Sequence, residues 1–384
     1  MKKEEKLPVG THFIMGNQAL AEGAIAAGCN FVSGYPITPA SEIVNRLSVL
    51  LPGVGGGFLQ TEDEISAICA AIGASWSGCK AMTATSGPGL SLMQENIGFA
   101  VATETPLVIV DVQRLGPSTG VPSVGVAGDV VQAARGSHGD YQVIALSPES
   151  PQEMFDMIIR AFNLAESFRV PVFVLADAFI GHMREQVVIP AADKISLVSR
   201  KLPEPGTDPM SRQDFMDPAV APMPVFGRGF KAHVTGSCHD KNGMRNLSDP
   251  AIMHDFIMKP IEKILSRREH IVEIESDYRS GDTLLVGYGS VSRSAKAAVL
   301  KGRAAGLSIG LLRLKTLWPL ASKEIEAAAQ TVKRVVVLEN NTGQLFPYIK
   351  AEAAAYCRVD FLGPQILGQI HDPENVLNYI QESD

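Results

Sequence analysis

The chain has 384 residues, 46% of them hydrophobic and 20% charged, with a formal net charge of -7. That length holds two or three domains with buried cores, and the balance of 34 basic against 41 acidic residues argues against nonspecific nucleic-acid binding. The charged start Met1-Lys2-Lys3-Glu4-Glu5-Lys6 leads into no apolar stretch, and no run of about 18 apolar residues follows, so neither a signal peptide nor a membrane span is expected, and the cytoplasm is the expected location.

The first 190 residues alternate short apolar strands with helical stretches. Residues 12–15 read as a strand, and a helix from about Asn17 ends at Gly28, a common residue just past a helix C-terminus. Strands are expected at 30–34, 57–60 and 80–84, with helices opening at Pro39, over 62–77 and from about Leu90. The runs at 107–111 (LVIVD) and 172–177 (VFVLAD) suit parallel strands covered on both faces. Ser150-Pro151-Gln152-Glu153 has the form of a capping box with proline at the first helical position. Repeated strand–helix units imply a doubly wound α/β domain over 1–200. Residues 203–228 are proline-rich and aperiodic, a linker or extended crossing segment, and an amphipathic helix is expected over about 250–268. A second, smaller α/β domain is expected over 276–384, with strands at 283–288, 308–312 and 334–338 and a helix over 292–305, leaving 201–275 as the connection.

Candidate chemistry gathers where strands give way to helices, the usual place for sites in open α/β sheets. At Gln60-Thr61-Glu62-Asp63-Glu64, a T-x-x-E capping box from Thr61 to Glu64 explains the acids as they stand. The helix that follows is nearly apolar all round, however, so a carboxyl at its mouth should be desolvated, with a raised pKa suited to proton transfer. Thr38 either caps the helix at Pro39 or faces a ligand, and the two roles are compatible. At Ser86-Gly87-Pro88-Gly89 the glycines allow close approach to a ligand at a helix N-terminus, although no P-loop lysine follows. Arg114 stands just past a strand end, where a guanidinium suits a planar carboxylate or pairs with a surface acid. His138 lies in the polar loop Ser137-His138-Gly139-Asp140. The cysteines Cys29, Cys69, Cys79, Cys238 and Cys357 form no CxxC pair and read as reduced thiols. Cys238-His239-Asp240 is the only cluster shaped like metal ligands, and without a second ligand pair no metal site is expected on this chain.

Taken in order, these loops resemble the alpha subunits of 2-oxoacid:ferredoxin oxidoreductases. The resemblance is carried by GYPITPASEI (34–43), TEDEISAI (61–68), TATSGPGLSLMQE (83–95), DVQRLGPSTGVPS (111–123) and GSHGDYQVIALSPES (136–150). It continues through PVFVLADAFIGHMRE (171–185), VGYGSVSRSA (286–295), LRLKTLWPL (312–320) and VVLENNTGQL (336–345), nearly the whole chain. The GPSTG segment is similar to the 2-oxoglutarate subgroup. The resemblance implies a thiamine-pyrimidine-binding domain followed by a transketolase-C-terminal-like domain. It implies that Glu64 hydrogen-bonds the pyrimidine ring of thiamine diphosphate and helps to deprotonate the thiazolium carbon, with Pro36, Ser86 and Gly87 also at the cofactor. It implies that Thr38 and Arg114 contact the substrate's 1-carboxylate. Ser118, Thr119 and His138, in polar loops, are candidates for sensing a distal carboxylate. The diphosphate signature Gly-Asp-Gly is missing, so the diphosphate and Mg2+ are expected on a beta subunit. The [4Fe-4S] clusters are expected on partner chains, with small gamma and delta subunits, ferredoxin as electron acceptor and coenzyme A as co-substrate. The alternatives are the same machinery for 2-oxoisovalerate or another 2-oxoacid, a non-oxidative thiamine enzyme, and a non-catalytic assembly subunit. Gly287-Tyr288-Gly289 lacks the third glycine and later acid of a dinucleotide site.

Overall fold

The structure, a computed structural model, describes residues 6–204, 220–230, 232–278 and 281–382. The first unit runs β1 (Gly10–Met15), α1 (Gly16–Ala26), β2 (Phe31–Gly34), α2 (Ser41–Gly53), β3 (Gly57–Gln60), α3 (Glu64–Trp76), β4 (Ala81–Thr85) and α4 (Gly87–Ala102). It continues through β5 (Leu107–Gln113), α5 (Val130–Arg135), β6 (Ile144–Leu146), α6 (Pro151–Phe168), β7 (Pro171–Asp177), α7 (Ala178–His182) and β8 (Arg184–Ile189). Helices α8 (Pro250–Leu265) and α9 (Arg268–Ile271) lead to the second unit. That unit comprises β9 (Ile274–Asp277), β10 (Gly281–Gly287), α10 (Val291–Ala304), β11 (Ile309–Leu314), β12 (Thr316–Trp318), α11 (Ser322–Ala329), β13 (Val332–Leu338), α12 (Phe346–Ala353), β14 (Arg358–Leu362) and α13 (Pro373–Glu382).

The main sheet has the order β12-β6-β7-β5-β4-β2-β3 and is parallel except at β12. Apolar residues on both faces of β4, β5 and β7 explain why every residue of these strands is buried. Helices α1, α2 and α6 cover one face, and α3 and α4 the other. The second sheet, β14-β13-β10-β11-β9, is parallel except at its edge strand β9. The second unit is not insulated from the first. Its β12 extends the main sheet, and one apolar core runs from α3 and α4 into β10, β11 and β13. Arg313, fully buried, ties the units by meeting Glu149 at 3.1 Å, Glu275 at 3.0 Å and Glu153.

Several local expectations change on packing. β1 does not enter the parallel sheet; it pairs antiparallel with β8 as a two-stranded ribbon. Helix α2 begins at Ser41, not Pro39, because residues 37–40 form a turn closed by the Ala40 amide on the Ile37 carbonyl. Thr38 is therefore not a helix cap. Helix α4 begins at Gly87, ahead of the expected Leu90, with Ser86 in extended conformation before it. Gly28, at φ +81°, does end α1. Ser150 accepts from the Glu153 amide, while Glu153 reaches back to the Glu149 amide at 2.9 Å. The described part of the proline-rich stretch is packed rather than free. Met223 and Val225 are buried, and Phe226 lies 6.0 Å from the Trp76 ring. His239 is buried edge-on against Phe256, its Nδ1 2.9 Å from the Ser237 carbonyl, which gives it a packing role.

Candidate functional site

The carboxyl ends of β3, β2, β4 and β5 lie side by side in the sheet, so the four loops that leave them converge. The first loop corrects the capping reading of Glu64. Asp63, not Thr61, is the N-cap of α3, and its side chain accepts from the Ser66 amide at 2.7 Å. Thr61 instead donates its hydroxyl to the Asp63 carbonyl, and Glu62 bonds the Ser66 hydroxyl at the surface. One acid therefore satisfies the orphan amides of the helix end, and Glu64, at the first helical position, is released from that duty. Glu64 is only 4% exposed, and among the described residues no side chain hydrogen-bonds its carboxyl. Burial raises its pKa and the negative charge of Asp63 adds to the effect, while Arg114 pulls it back.

Gly89 explains how this carboxyl fits under α4. A Cβ at that position would sit 2.1 Å from Thr85 Oγ1 and 2.4 Å from Glu64 Oε1. Only a glycine lets the helix pass over both groups. We expect Gly89→Ala to displace Glu64, cutting complex activity at least tenfold while costing about 1–3 kcal/mol of stability, the usual cost of overpacking; activity and melting temperature measured side by side check this. The hydroxyls of Thr83, Thr85 and Ser86 are also buried and lack partners among the described residues. A buried acid together with unpartnered buried hydroxyls suits a polar heterocycle with its own donors and acceptors.

Arg114, 7% exposed, donates from Nη1 to the Thr38 carbonyl at 2.6 Å, while among the described residues its Nε has no partner. The turn carrying Thr38 is in turn held by Asn17 of α1, whose Nδ2 meets the Pro39 carbonyl at 2.7 Å and Glu42 at 3.0 Å. Thr38 thus orients Arg114 through its backbone, and its own side chain stays exposed. A pocket of about 500 Å³ opens beside Arg114, lined by Gly87 and Ser118 and also by Asp129, Gln132, Asn341 and Gln344. Ser118 has φ +56° in an exposed loop that folds back on itself through the Val121 amide and Leu115 carbonyl. Thr119 and Pro36 are exposed nearby in sequence but do not line this pocket. His138 lies elsewhere. It is exposed, 3.6 Å from Glu95, at the mouth of a separate cavity of about 340 Å³ floored by Phe99, Tyr141 and Phe256.

Sequence reasoning missed Asp129, and it named Asp111, Gly89, Asn341 and Gln344 only within motifs, without the contacts they make. Asp111 had a visible signal, a charged residue closing the apolar run LVIVD. Asn341 and Gln344 lie in the motif VVLENNTGQL (336–345), but nothing local shows that this loop of the second unit reaches the first.

The geometry agrees with what comparison finds. The family model described as "Pyruvate flavodoxin/ferredoxin oxidoreductase, thiamine diP-bdg" matches residues 22–259, and "Pyruvate:ferredoxin oxidoreductase core domain II" matches 281–376. The chain is 48% identical to the 2-oxoglutarate synthase subunit KorA of Methanothermobacter marburgensis, covering 96% of this chain and 98% of that one. It is 35% identical to the ketoisovalerate oxidoreductase subunit VorB of Methanothermobacter thermautotrophicus, covering 97% and 98%. The solved 2-oxoglutarate:ferredoxin oxidoreductase of Magnetococcus marinus, with 2-oxoglutarate, coenzyme A and succinyl-CoA bound, superposes with a TM-score of 0.90 at 34% identity; the match covers 98% of this chain and 65% of that chain. With buried Glu64 and Arg114 at converging strand ends and both units matched, this chain belongs to the 2-oxoacid:ferredoxin oxidoreductase family, as a chain bearing its thiamine diphosphate-binding domain.

Proposed function

We propose that this chain is the alpha subunit of a 2-oxoglutarate:ferredoxin oxidoreductase, which converts 2-oxoglutarate and coenzyme A to succinyl-CoA and carbon dioxide with electrons passing to ferredoxin, or runs the reverse. The observation that carries the reading is the Glu64 carboxyl, buried, freed from capping and near enough to Arg114 to feel its charge. Within the division into 1–200, 201–275 and 276–384, the first segment holds the pyrimidine half of thiamine diphosphate. When bound, the cofactor supplies the electron sink that lets the substrate carboxylate leave as carbon dioxide. Glu64 holds a proton for the pyrimidine ring, and the pKa that burial raises above the ordinary carboxylate range favours that proton-holding form. Ser86, Gly87 and Pro36 border the cofactor. Arg114 binds the 1-carboxylate of the substrate, with the Thr38 carbonyl fixing its orientation. Ser118, which lines the pocket, and Thr119 in the same loop are the better candidates for the distal carboxylate; His138 opens on the other cavity.

We assign the diphosphate, Mg2+ and [4Fe-4S] clusters to partner chains: a beta subunit and, in the fuller assembly, gamma and ferredoxin-like delta subunits. Exposed Tyr35 after β2, Leu59 on β3, Ile65 on α3 and Leu92 on α4 give an apolar surface near Glu64 suited to the beta subunit. Among the described residues no helix is long and apolar enough to cross a membrane, and we place the complex in the cytoplasm.

The test is viologen-dye reduction by the complex reconstituted with its partner chains. Reduction with 2-oxoglutarate well ahead of 2-oxoisovalerate and pyruvate supports the proposal; preference for 2-oxoisovalerate would transfer it to the reaction named for the VorB relatives. Arg114→Gln is expected to raise KM for 2-oxoglutarate about 10–100-fold, the loss of one charged hydrogen-bonding interaction. Ser118→Ala with Thr119→Val is expected to weaken 2-oxoglutarate use more than pyruvate use; equal losses would discard their distal role.

A further inference from the structure

The second unit reaches the pocket beside Arg114 with two loops. The first, over 339–345, is pinned to the segment that follows Val124. The Asn340 side chain donates to the Gly125 carbonyl at 3.1 Å, and the Asn340 backbone carbonyl accepts the Ala127 amide at 3.1 Å. Asn341 Nδ2 meets the Ala127 carbonyl at 2.7 Å, and its Oδ1 accepts the amides of Gly343 and Gln344. Gln344 donates to the Gly128 carbonyl and accepts from the Val131 amide at 3.2 Å. Asn341 and Gln344 both line the pocket, but both ends of each amide are engaged in holding the chain together.

The second loop, residues 363–371, joins β14 to α13 and is tied to the first at both ends. The Leu362 carbonyl before it accepts the Glu339 amide at 3.4 Å, and His371 after it places Nε2 3.1 Å from the Glu339 carbonyl. Between these ties the chain turns on the Gln369 amide and the Ile366 carbonyl, 3.1 Å apart, with Gly368 at φ +88°. A Cβ on Gly368 would lie 2.4 Å from Val124 Cγ1. Glycine therefore lets this loop press against Val124, whose carbonyl accepts the Leu115 amide at 2.8 Å and closes the loop that carries Ser118.

This approach puts Leu367 in the pocket wall together with Arg114, Leu115 and Ser118. Leu367 is 44% exposed. Ile366 and Ile370 of the same loop are exposed as well, but they do not line the pocket. Of the second unit's lining residues, only Thr342 and Leu367 are exposed, and only Leu367 is wholly apolar. An apolar side chain at the wall of a polar pocket gains from a ligand that covers it with carbon.

We propose that Leu367, delivered by the loop between β14 and α13, is a specificity-determining residue. Its side chain packs against the carbon chain of 2-oxoacids longer than pyruvate while Arg114 holds the 1-carboxylate. The second unit thereby selects substrate by chain length. This deepens the proposed function and rests on its reading of the pocket beside Arg114 as the substrate's.

The test compares kcat/KM for 2-oxoglutarate and pyruvate in the reconstituted complex. Leu367→Ala is expected to lower the value for 2-oxoglutarate about three- to tenfold, the weight of one or so methylene contacts, and to leave pyruvate, which offers only a methyl group, within about twofold. Leu367→Met, which restores apolar contact, is expected to recover most of the loss. Gly368→Ala, which pushes the loop off Val124, is expected to shift the substrate ratio in the same direction. The melting temperature of Leu367→Ala should match wild type, because the side chain is exposed. Equal losses for both substrates, or an unchanged ratio in Leu367→Ala, would overturn the proposal. An Arg114→Gln complex with unchanged KM would instead sink the pocket reading beneath it. A complex whose KM rises in Arg114→Gln but whose substrate ratio ignores Leu367→Ala would sink the loop's role alone.

Discussion

Glu64→Gln is expected to lower 2-oxoglutarate-dependent dye reduction by roughly 10²–10⁴-fold, the usual weight of a positioned proton-transfer group. Glutamine keeps the shape of the side chain but cannot exchange the proton. Stability should move the other way. Burial raises the folded-state pKa of Glu64 above its unfolded value. A raised carboxyl pKa means that the unfolded chain ionises first, so this residue's contribution to stability falls as pH rises through the folded pKa. Removing the charge removes that penalty. The variant should therefore match wild type in acid and melt higher at neutral pH. A variant that is both inactive and less stable at neutral pH would point to a structural role for Glu64 in place of a catalytic one.

Lys263→Met is expected to destabilise the fold by about 2–4 kcal/mol, somewhat less than leaving a buried carboxylate wholly unpaired, because Arg169 Nη2 remains 3.9 Å from Glu104 Oε2. Lys263 on α8 is 2% exposed and its Nζ meets Glu104 Oε1 at 2.6 Å. Arg169, also buried, lies on the far side, donating to the Glu104 and Ala221 backbone carbonyls. This group binds the connecting segment to the end of α4 and the extended stretch around Ala221. Chemical denaturation of the variant would show the loss as a lower midpoint. An unchanged midpoint would mean that methionine's apolar stem and the remaining Arg169 pairing fully offset the lost lysine charge at Glu104.

Much of the fold was legible because its causes are local. Continuous apolar runs such as 107–111 suit strands covered on both faces, and Gly28 marks a helix end that needs a left-handed residue. Errors fell where a local rule had competitors. The T-x-x-E pattern at Thr61–Glu64 satisfied a capping box on paper, but Asp63 lay closer to the helix start and took the role. Residues 12–15 had strand character, but nothing in them chose between the parallel sheet and the antiparallel ribbon with β8.

The sequence by itself determined the alternation of strands and helices, the placement of Glu64, Thr38, Ser86 and Arg114 at strand ends, and a resemblance carried by motifs in fixed order. Those features depend on neighbours within a few residues, and composition and spacing record them. Tertiary structure alone decided that Glu64 is free of its own helix cap, that Gly89 makes room for it, and that Arg114 is held by the Thr38 carbonyl. It also decided that β12 and the loop at 339–345 of the second unit complete the first. These are encounters between segments far apart in the chain, fixed only when one apolar core closes over both units.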